Sequence, residues 1–281
     1  MEYGTFKVNE KTFVPEFGID YPKDDPFRRL LKVEVEDSSN GRYQFDETFP
    51  YIDKSLGYKI NNIFGFFVKW FLVAVWNRLH FGLKIEGRRN VTMHKNALAD
   101  GALCICNHVF VFDAMGVYQA VRRFKKLWIP MFAKHFNGKN HWFMRYSGGI
   151  PIPETRGGIR KFNEAFDEYH NQKDWFLIFP ESVRWNMYAP IRPFKRGAFS
   201  MAYKYKIPII PLVYSYRRRV GIYRLFGSTH TPCVTLHVGE PIFFETSAPR
   251  KEEVERVRKL AHETMVRMAG IEVNPWSAEG D

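Results

Sequence analysis

One segment of the chain places a histidine and a carboxylate at a spacing suited to acid–base chemistry. His108 follows the short apolar run Ala102–Cys106, and Asp113 lies five residues after it. On one continuous helix the two side chains would point apart, since residues that share a helix face lie three or four positions apart. They can meet if His108 lies in the turn after a strand and Asp113 begins the next helix, where Asp is favoured. A histidine oriented by a carboxylate is a candidate general base.

The same residues are also compatible with a structural role or with a metal site. His108 could be a hydrogen-bonded histidine near a strand end, and Asp113 could be only a helix cap. The run Cys104-x-Cys106-x-His108 could suggest a metal site, but it does not match the usual Cys-x2–4-Cys spacing and the sequence holds no second ligand pair. We therefore predict no metal, and Cys106 remains an alternative nucleophile.

Two later segments carry polar residues that could bind a phosphorylated substrate. Gly148 and Gly149 precede a short strand, and Arg156 and Arg160 follow it near a helix start. Helix N-termini and guanidinium groups both bind phosphate. An ordinary basic loop is the alternative interpretation of this first segment.

The second of these segments follows the apolar run 175–179. Glu181 comes directly after that run and Pro180, at the carboxyl end of a predicted strand, where open α/β sheets bind ligands. Glu181 could contact a polyol and Arg184 a phosphate, although a surface salt bridge between them is the alternative. Lys195 and Arg196, just before a predicted helix, and Asn107, next to His108, complete the candidate substrate contacts.

Four blocks occur in one order along the chain: His-x4-Asp at 108–113, GGIPIP at 148–153, FPE at 179–181 and IPIIP at 207–211. Their order and spacing resemble the phospholipid/glycerol acyltransferase family, which includes 1-acylglycerol-3-phosphate acyltransferases. FKRGAF at 194–199 also resembles that family, and the similarity covers roughly residues 60–240.

The resemblance implies a mechanism and its substrates. His108, oriented by Asp113, would deprotonate a hydroxyl of a lysophospholipid, most simply 1-acylglycerol-3-phosphate. The hydroxyl would then attack the thioester of acyl-CoA or acyl-carrier protein, with no covalent acyl-enzyme, metal or further cofactor. Glu181 and the arginines of the later blocks would hold the glycerol phosphate.

The chain departs from the family pattern at two places. Ser182, Val183 and Trp185 stand where the family usually has Gly, Thr and Ser, and 153–155 separate the IP dipeptide from Arg156. The departures fall on the expected phosphate contacts, so a different lysolipid or a non-phosphate alcohol is an alternative acceptor.

From residue 83 onward, apolar runs alternate with helical periods. This pattern predicts a single α/β domain over 83–281, with a mixed, largely buried sheet flanked by helices. The predicted strands are Leu83–Glu86, Ala102–Cys106, Leu127–Met131, Ile150–Ile152, Trp175–Phe179, Ile209–Tyr216 and Val234–Val238. The predicted helices are Asp113–Arg122, His141–Ser147, Gly158–Asn171, Gly197–Tyr205 and Arg250–Met268.

Two segments precede this domain. Residues 1–57 are predicted to be an irregular acidic extension with a short strand at Lys32–Val35. Residues 58–82 are the most apolar and aromatic stretch, but Lys69 and Arg78 bracket an apolar run too short for a spanning helix. We predict an amphipathic helix at a membrane interface; a helix buried under the domain and a true span are the alternatives.

Charge and cysteine content restrict the partners. The net charge is +12, but residues 1–50 carry −4 and the remainder +16, which favours an anionic partner such as a membrane. A non-enzymatic basic module remains an alternative, although no nucleic-acid motif is recognisable and we predict no nucleic-acid partner. Three cysteines without framework spacing favour a reducing compartment, and the N-terminus shows no signal-peptide pattern. Together with the interfacial helix expected at 58–82, these features predict a peripheral, monotopic protein on the cytoplasmic face of a membrane.

Overall fold

The fold is described by a computed structural model, which covers residues 7–8, 43–121, 126–153, 155–227, 231–245 and 247–278. The strands are β1 (Lys7–Val8), β2 (Lys84–Glu86), β3 (Leu103–Cys106), β4 (Leu127–Phe132), β5 (Gly149–Ile152), β6 (Trp175–Ile178), β7 (Ile209–Arg217), β8 (Cys233–Val238) and β9 (Ile271–Val273). The α-helices are α1 (Leu56–Phe67), α2 (Ala74–Leu79), α3 (Arg88–Met93), α4 (Asp113–Val121), α5 (His141–Tyr146), α6 (Arg156–Asn171), α7 (Gly197–Tyr205) and α8 (Arg250–Met268).

Seven of the strands form one mixed sheet in the order β2-β8-β7-β3-β6-β4-β5. Strands β7, β3, β6, β4 and β5 are parallel, whereas β8 is antiparallel to β7 and β2 is parallel to β8. The carboxyl ends of β3 and β6 are therefore neighbours at one edge of the sheet, about 5 Å apart. Both His108 and Glu181 lie at this edge, because they follow β3 and β6 in the chain.

Apolar layers cover both faces of the sheet. On one face, buried side chains of α6, α7 and α8, such as Phe166, Phe199 and Val257, pack on strand residues that include Ile105 and Val213. On the other face, α4 and the helical segment before β2 pack on a separate buried cluster. All four residues of β3 are fully buried, which explains its unbroken apolar sequence.

The predicted α/β class, mixed sheet and flanking helices are confirmed, and element ends differ by a few residues. Helix α6 begins at Arg156 rather than Gly158, because the Thr155 hydroxyl accepts a hydrogen bond from the Gly158 amide at 3.0 Å and caps the helix. The predicted strand at Lys32–Val35 and the helix end at Arg122 lie outside the described residues.

One continuous helical segment precedes the sheet. Helix α1 begins after Ser55, whose hydroxyl accepts from the Tyr58 amide, and a π-helical turn at Val68–Val73 joins α1 to α2. The segment Leu56–Leu79 is long and apolar enough to cross a membrane by length and composition, yet only 22% of its most apolar window is buried. The segment is therefore not a helix buried under the domain, which was one of the alternatives that the sequence left open.

Residues 43–55, within the predicted acidic extension, contain no helix or strand but contribute to the core. Phe45, Phe49 and Tyr51 are buried in the same cluster as the α6 and α8 side chains. The ring of Phe45 lies 5.0 Å from that of Phe49 and 6.0 Å from that of Phe136. The domain boundaries at 57 and 82 stay predictions.

Candidate active site

His108 and Asp113 meet as the spacing predicts. His108 lies in the loop after β3, Asp113 is the first residue of α4, and the distance from His108 Nδ1 to Asp113 Oδ2 is 2.7 Å. An ionised carboxylate only accepts hydrogen bonds, so Nδ1 carries the proton and Nε2 is left as the basic atom. The His108 side chain is 25% exposed and that of Asp113 only 1%, so a substrate can reach the imidazole but not the carboxylate.

The Asp113 carboxylate is fixed by the backbone around it. Oδ2 also accepts from the amide of Val109 at 3.0 Å, and Oδ1 accepts from the amide of Ala114 at 2.7 Å. The Tyr214 hydroxyl donates to the Asp113 carbonyl at 2.7 Å. Asp113 therefore both accepts from a free amide in the first turn of α4 and orients His108, so a role at the helix start and a catalytic role, which the sequence left open, do not exclude each other.

Glu181 holds the backbone of His108. Its Oε2 accepts from the His108 amide at 3.1 Å and from the Arg192 guanidinium at 2.8 Å, while Oε1 accepts from the Arg192 amide at 3.0 Å. Both charged side chains of this pair are at most 2% exposed. Because Glu181 is enclosed by protein partners, we reassign it from direct polyol contact to positioning His108; its ion-pair partner is Arg192, not Arg184.

Asn107 is likewise committed to the protein. Its side-chain amide donates to the Tyr214 carbonyl at 3.3 Å and its oxygen accepts from the Tyr214 amide at 2.8 Å. These bonds join the end of β3 to β7, and Asn107 is fully buried. We therefore reassign Asn107 from substrate contact to anchoring the loop that carries His108.

The segment after Glu181 crosses this loop. The Trp185 amide donates to the His108 carbonyl at 3.1 Å, and the Met187 amide donates to the Val109 carbonyl at 2.7 Å. The Arg192 guanidinium lies 4.4 Å from the centre of the Trp185 ring and also contacts the Val183 carbonyl. Residues 182–185, which depart from the family pattern, thus belong to the segment that holds the His108 loop in place.

The remaining candidate cations lie at the surface. Arg184 is half-buried and forms no side-chain hydrogen bond or ion pair within the described part of the chain. Lys195 and Arg196 are exposed just before α7, and the Lys195 amide donates to the Pro180 carbonyl at 2.9 Å. Arg184 directly precedes Trp185, whose amide donates to the His108 carbonyl.

Arg156 and Arg160 are exposed on the first turns of α6, which follows β5. Strand β5 is three strands from β3 in the sheet, so the carboxyl ends of these two strands are about 14 Å apart. They border the same edge as His108 but do not join its hydrogen-bond network. Their role in phosphate binding stays a prediction.

Three residues of the site were not among the sequence candidates. The Phe179 ring stacks on the His108 ring with centroids 4.3 Å apart, Arg192 neutralises Glu181, and Tyr214 fixes both Asn107 and Asp113. Phe179 is part of the FPE block, two residues before Glu181, so the sequence could have indicated that it lies at the site. No sequence pattern indicates Arg192 or Tyr214, because their contacts depend on tertiary structure.

The cysteine alternative does not fit the geometry. Cys106 is fully buried, and burial raises the pKa of its thiol well above the usual range, with Asp113 and Glu181 adding to the effect. A protonated, enclosed thiol is a poor nucleophile. The described residues contain no group of three or more His, Cys, Asp or Glu that could hold a metal ion, and the expectation that none is needed remains a prediction.

Comparisons with known proteins find acyltransferases. A family profile described as Acyltransferase matches residues 83–215, which include β3, α4, β6 and most of β7. The chain is 29% identical over 129 residues to a 1-acyl-sn-glycerol-3-phosphate acyltransferase of Saccharomyces cerevisiae, a match that spans 44% of this chain and 42% of that protein. It is 25% identical over 212 residues to an uncharacterised acyltransferase of Schizosaccharomyces pombe, spanning 70% of this chain and 68% of that protein.

The fold is also found in a solved structure. The crystal structure of PlsC, the 1-acyl-sn-glycerophosphate (LPA) acyltransferase of Thermotoga maritima, superposes with a TM-score of 0.50 at 19% identity. The superposition covers 77% of this chain and 83% of that one, and it shows a shared fold. The profile and the sequence matches show that residues 83–215 are similar to the acyltransferase family, and the superposition shows that the chain shares its fold with PlsC.

Proposed function

We propose that this protein transfers a fatty acyl group from a thioester donor to a free hydroxyl of a lysophospholipid, with His108 as the general base. The observation that carries the proposal is the 2.7 Å contact between His108 Nδ1 and Asp113 Oδ2, in an accessible loop at the carboxyl edge of the sheet. Similarity to the acyltransferase family over residues 83–215 and the match to a 1-acyl-sn-glycerol-3-phosphate acyltransferase support a glycerolipid acceptor.

The proposed reaction uses one proton carrier. His108 Nε2 takes the proton of the acceptor hydroxyl while the hydroxyl oxygen attacks the thioester carbonyl carbon. The carbon–sulfur bond then breaks, the ester forms, and the departing thiolate takes the proton back from the imidazolium. Asp113 stabilises the imidazolium between these steps, and such proton transfer contributes about two to four orders of magnitude in rate.

The donor is acyl-CoA or acyl-carrier protein, and no further cofactor takes part in the proposal. Arg184, Lys195 and Arg196 are candidates for the acceptor phosphate, since they are at least partly accessible and follow the Glu181 block. Arg156 and Arg160 supply further positive charge at the same edge of the sheet. This set of cations favours 1-acylglycerol-3-phosphate, an anionic acceptor, over a neutral alcohol.

A different lysolipid acceptor is the second candidate, and the substituted residues at 182–185 favour it. Trp185 is fully buried against Arg192, and Ser182 occupies a left-handed backbone position with φ of 67°. The block that would contact the glycerol phosphate therefore differs in both shape and side chains from the family pattern described above. Such differences alter which headgroup fits beside His108.

The active-site edge is proposed to face the cytoplasmic surface of a membrane. The helical segment Leu56–Leu79 exposes large apolar side chains along its length, among them Ile60, Phe64, Phe71 and Leu72. A helix of this kind binds lipid by burying its apolar face at the level of the headgroups. The protein would then be monotopic, with its substrate delivered within the bilayer.

An acceptor panel tests the proposal. The purified full chain is incubated with labelled acyl-CoA or labelled acyl-carrier protein as the donor. The acceptors tested in parallel are 1-acylglycerol-3-phosphate, other lysophospholipids and monoacylglycerol, with His108→Ala as the reference variant. We expect ester formation with at least one lysophospholipid, fastest with 1-acylglycerol-3-phosphate, and none above background with His108→Ala. Transfer to a neutral or choline-bearing lysolipid alone would support the second candidate, and no transfer to any acceptor from acyl-CoA or acyl-carrier protein would reject both.

A further inference from the structure

A short surface loop after β7 exposes apolar side chains. The segment Val220–Phe226, hereafter the apolar loop, forms a 3-10 turn over Gly221–Leu225. Ile222 is 63% exposed and Leu225 80% exposed, and Val220 and Phe226 are exposed beside them. A contiguous patch of exposed large apolar side chains often marks a surface that binds a membrane or another protein.

The base of this loop is anchored to the protein. Arg219 is only 7% exposed, and its guanidinium donates to the carbonyls of Tyr223 at 2.7 Å and Thr231 at 2.8 Å. The same guanidinium donates to the carbonyl of His80, directly after α2. Arg219 therefore fixes the apolar loop to the end of the helical segment Leu56–Leu79.

The apolar loop continues the surface of that helical segment. A side-chain carbon added at Gly82 would lie 3.3 Å from the Tyr223 ring, so the loop packs closely on the connection between α2 and β2. Helix α2 exposes Val75 and Trp76 to solvent. The loop also leaves the sheet at the carboxyl end of β7, which is parallel to β3 and next to it, so it lies at the same edge as His108.

Positive charge surrounds these apolar side chains. Arg218 and Arg224 are exposed within and beside the apolar loop, and Arg78 is exposed near the end of α2. Apolar side chains bordered by arginines fit the boundary between acyl chains and anionic headgroups. A protein partner would match the apolar patch equally well, but the surface that the loop shares with the helical segment proposed above to bind lipid favours a bilayer.

We propose that the apolar loop is a second membrane-contacting element, which inserts Ile222 and Leu225 into an anionic bilayer beside the helical segment Leu56–Leu79. Two contacts at different places hold a body in one orientation, whereas a single helix leaves it free to rotate about the helix axis. The loop would thereby keep the His108 edge turned toward the lipid surface. The inference rests on the proposed lipid substrate, but its test measures binding independently of catalysis.

Vesicle binding by the full chain provides the first test. Sedimentation with vesicles of phosphatidylcholine containing phosphatidylglycerol is measured for the wild type, for Ile222→Ser with Leu225→Ser, and for the matched control Phe243→Ser. Phe243 is exposed but lies beyond β8, at the opposite edge of the sheet. We expect binding to fall about tenfold for the loop variant and to be unchanged for the control, with Arg224→Gln weakening the preference for anionic vesicles.

Labelling at one position provides a second test that does not depend on weakened binding. All three native cysteines are buried, so Leu225→Cys and, separately, Phe243→Cys can be coupled to an environment-sensitive fluorophore. We expect a blue-shifted emission on vesicles, quenched by spin-labelled lipid, for the label at position 225 and no change at position 243. Wild-type binding by the loop variant together with an unshifted label at 225 would overturn the inference.

A variant of the helical segment distinguishes a wrong inference about the apolar loop from a wrong proposal about membrane binding. Phe71→Ser with Leu72→Ser removes exposed apolar side chains from the π-helical turn. If this variant loses binding while the loop variant does not, the helix alone contacts lipid and the loop inference is wrong. If neither variant nor the wild type binds vesicles, the membrane part of the proposed function is rejected as well.

Discussion

At the scale of single residues, His108 is held from two sides by buried carboxylates. Asp113 fixes the imidazole through Nδ1, and Glu181 fixes the His108 backbone through its amide. The first contact could be predicted from sequence, because it joins residues five apart across a strand-to-helix turn. The second could not, because no local pattern indicates that Glu181 reaches back to a loop 73 residues earlier.

Arg192 is predicted to be needed for the stability of this arrangement. Replacing it by Met leaves the buried carboxyl group of Glu181 without its cationic partner, which costs about 3–5 kcal/mol of unfolding free energy. The double variant Glu181→Gln with Arg192→Met should recover part of that loss, since no buried charge is then left. Urea denaturation of the three proteins measures the difference.

The control for this experiment is an exposed ion pair. Lys204 and Asp167 are 2.6 Å apart and about half exposed, so Lys204→Met should cost less than about 1 kcal/mol. Equal losses for Arg192→Met and Lys204→Met would contradict the view that the buried pair supports the site.

Ser182 carries backbone strain where the family pattern has glycine. Its φ is 67°, in the left-handed region that costs most residues about 1–2 kcal/mol. Ser182→Gly should therefore raise the unfolding free energy by about 0.5–1 kcal/mol, after the larger entropy of glycine in the unfolded chain is deducted. Thermal denaturation measures the change.

Ser200→Gly is the control of opposite sign. Ser200 lies inside α7, where glycine is less favourable than serine by about 0.5 kcal/mol. A loss of stability in Ser182→Gly comparable to that in Ser200→Gly would show that the left-handed position is not strained.

At the scale of elements, the helical segment Leu56–Leu79 has a more continuous apolar surface than the sequence predicts. The sequence suggests that Lys69 interrupts that surface, but its side chain points into the protein and is 6% exposed. Its ammonium group donates to the Ser147 carbonyl at 3.2 Å and lies 3.7 Å from the centre of the Tyr118 ring. The outer face thus stays apolar past this position.

Burial of Lys69 predicts a pH dependence of stability. Desolvation lowers the pKa of this lysine from 10.5 to about 8 in the folded protein. Between these values the unfolded chain binds more protons, so stability rises as the pH increases from about 8 toward 10.5, by up to about 3 kcal/mol. Below pH 8 both states are protonated, and the cost of burying the charge is fully present.

Lys69→Met should remove this dependence. We expect the variant to be more stable than the wild type at pH 7.5 and the difference to shrink at pH 9.5, as measured by urea denaturation at both values. Parallel pH dependence in the two proteins would mean that the ammonium group is hydrated.

At the scale of the whole molecule, the sequence predicts the sheet and the edge that carries the site. Apolar runs such as β3 and β6 are unbroken because they are buried on both faces, and their polar successors must meet where parallel strands end. Packing between distant segments is not predictable in this way. Phe45 and Tyr51, for example, belong to a segment that is acidic in composition, yet they complete the core beside α6.

The central claim is that His108, oriented by Asp113, performs acyl transfer. The most direct test is the turnover number of Asp113→Asn for transfer of a labelled acyl group from acyl-CoA to the preferred acceptor. The matched control is Asp174→Asn, which alters a buried aspartate that accepts a hydrogen bond from Trp128 at 2.8 Å. Near-ultraviolet circular dichroism checks that both variants keep the native packing.

We predict that Asp113→Asn lowers turnover by about two to four orders of magnitude, because the amide can no longer select the Nδ1-protonated tautomer or stabilise the imidazolium. Asp174→Asn should keep turnover within a factor of about three. Turnover near the wild-type value in a folded Asp113→Asn protein would contradict the account.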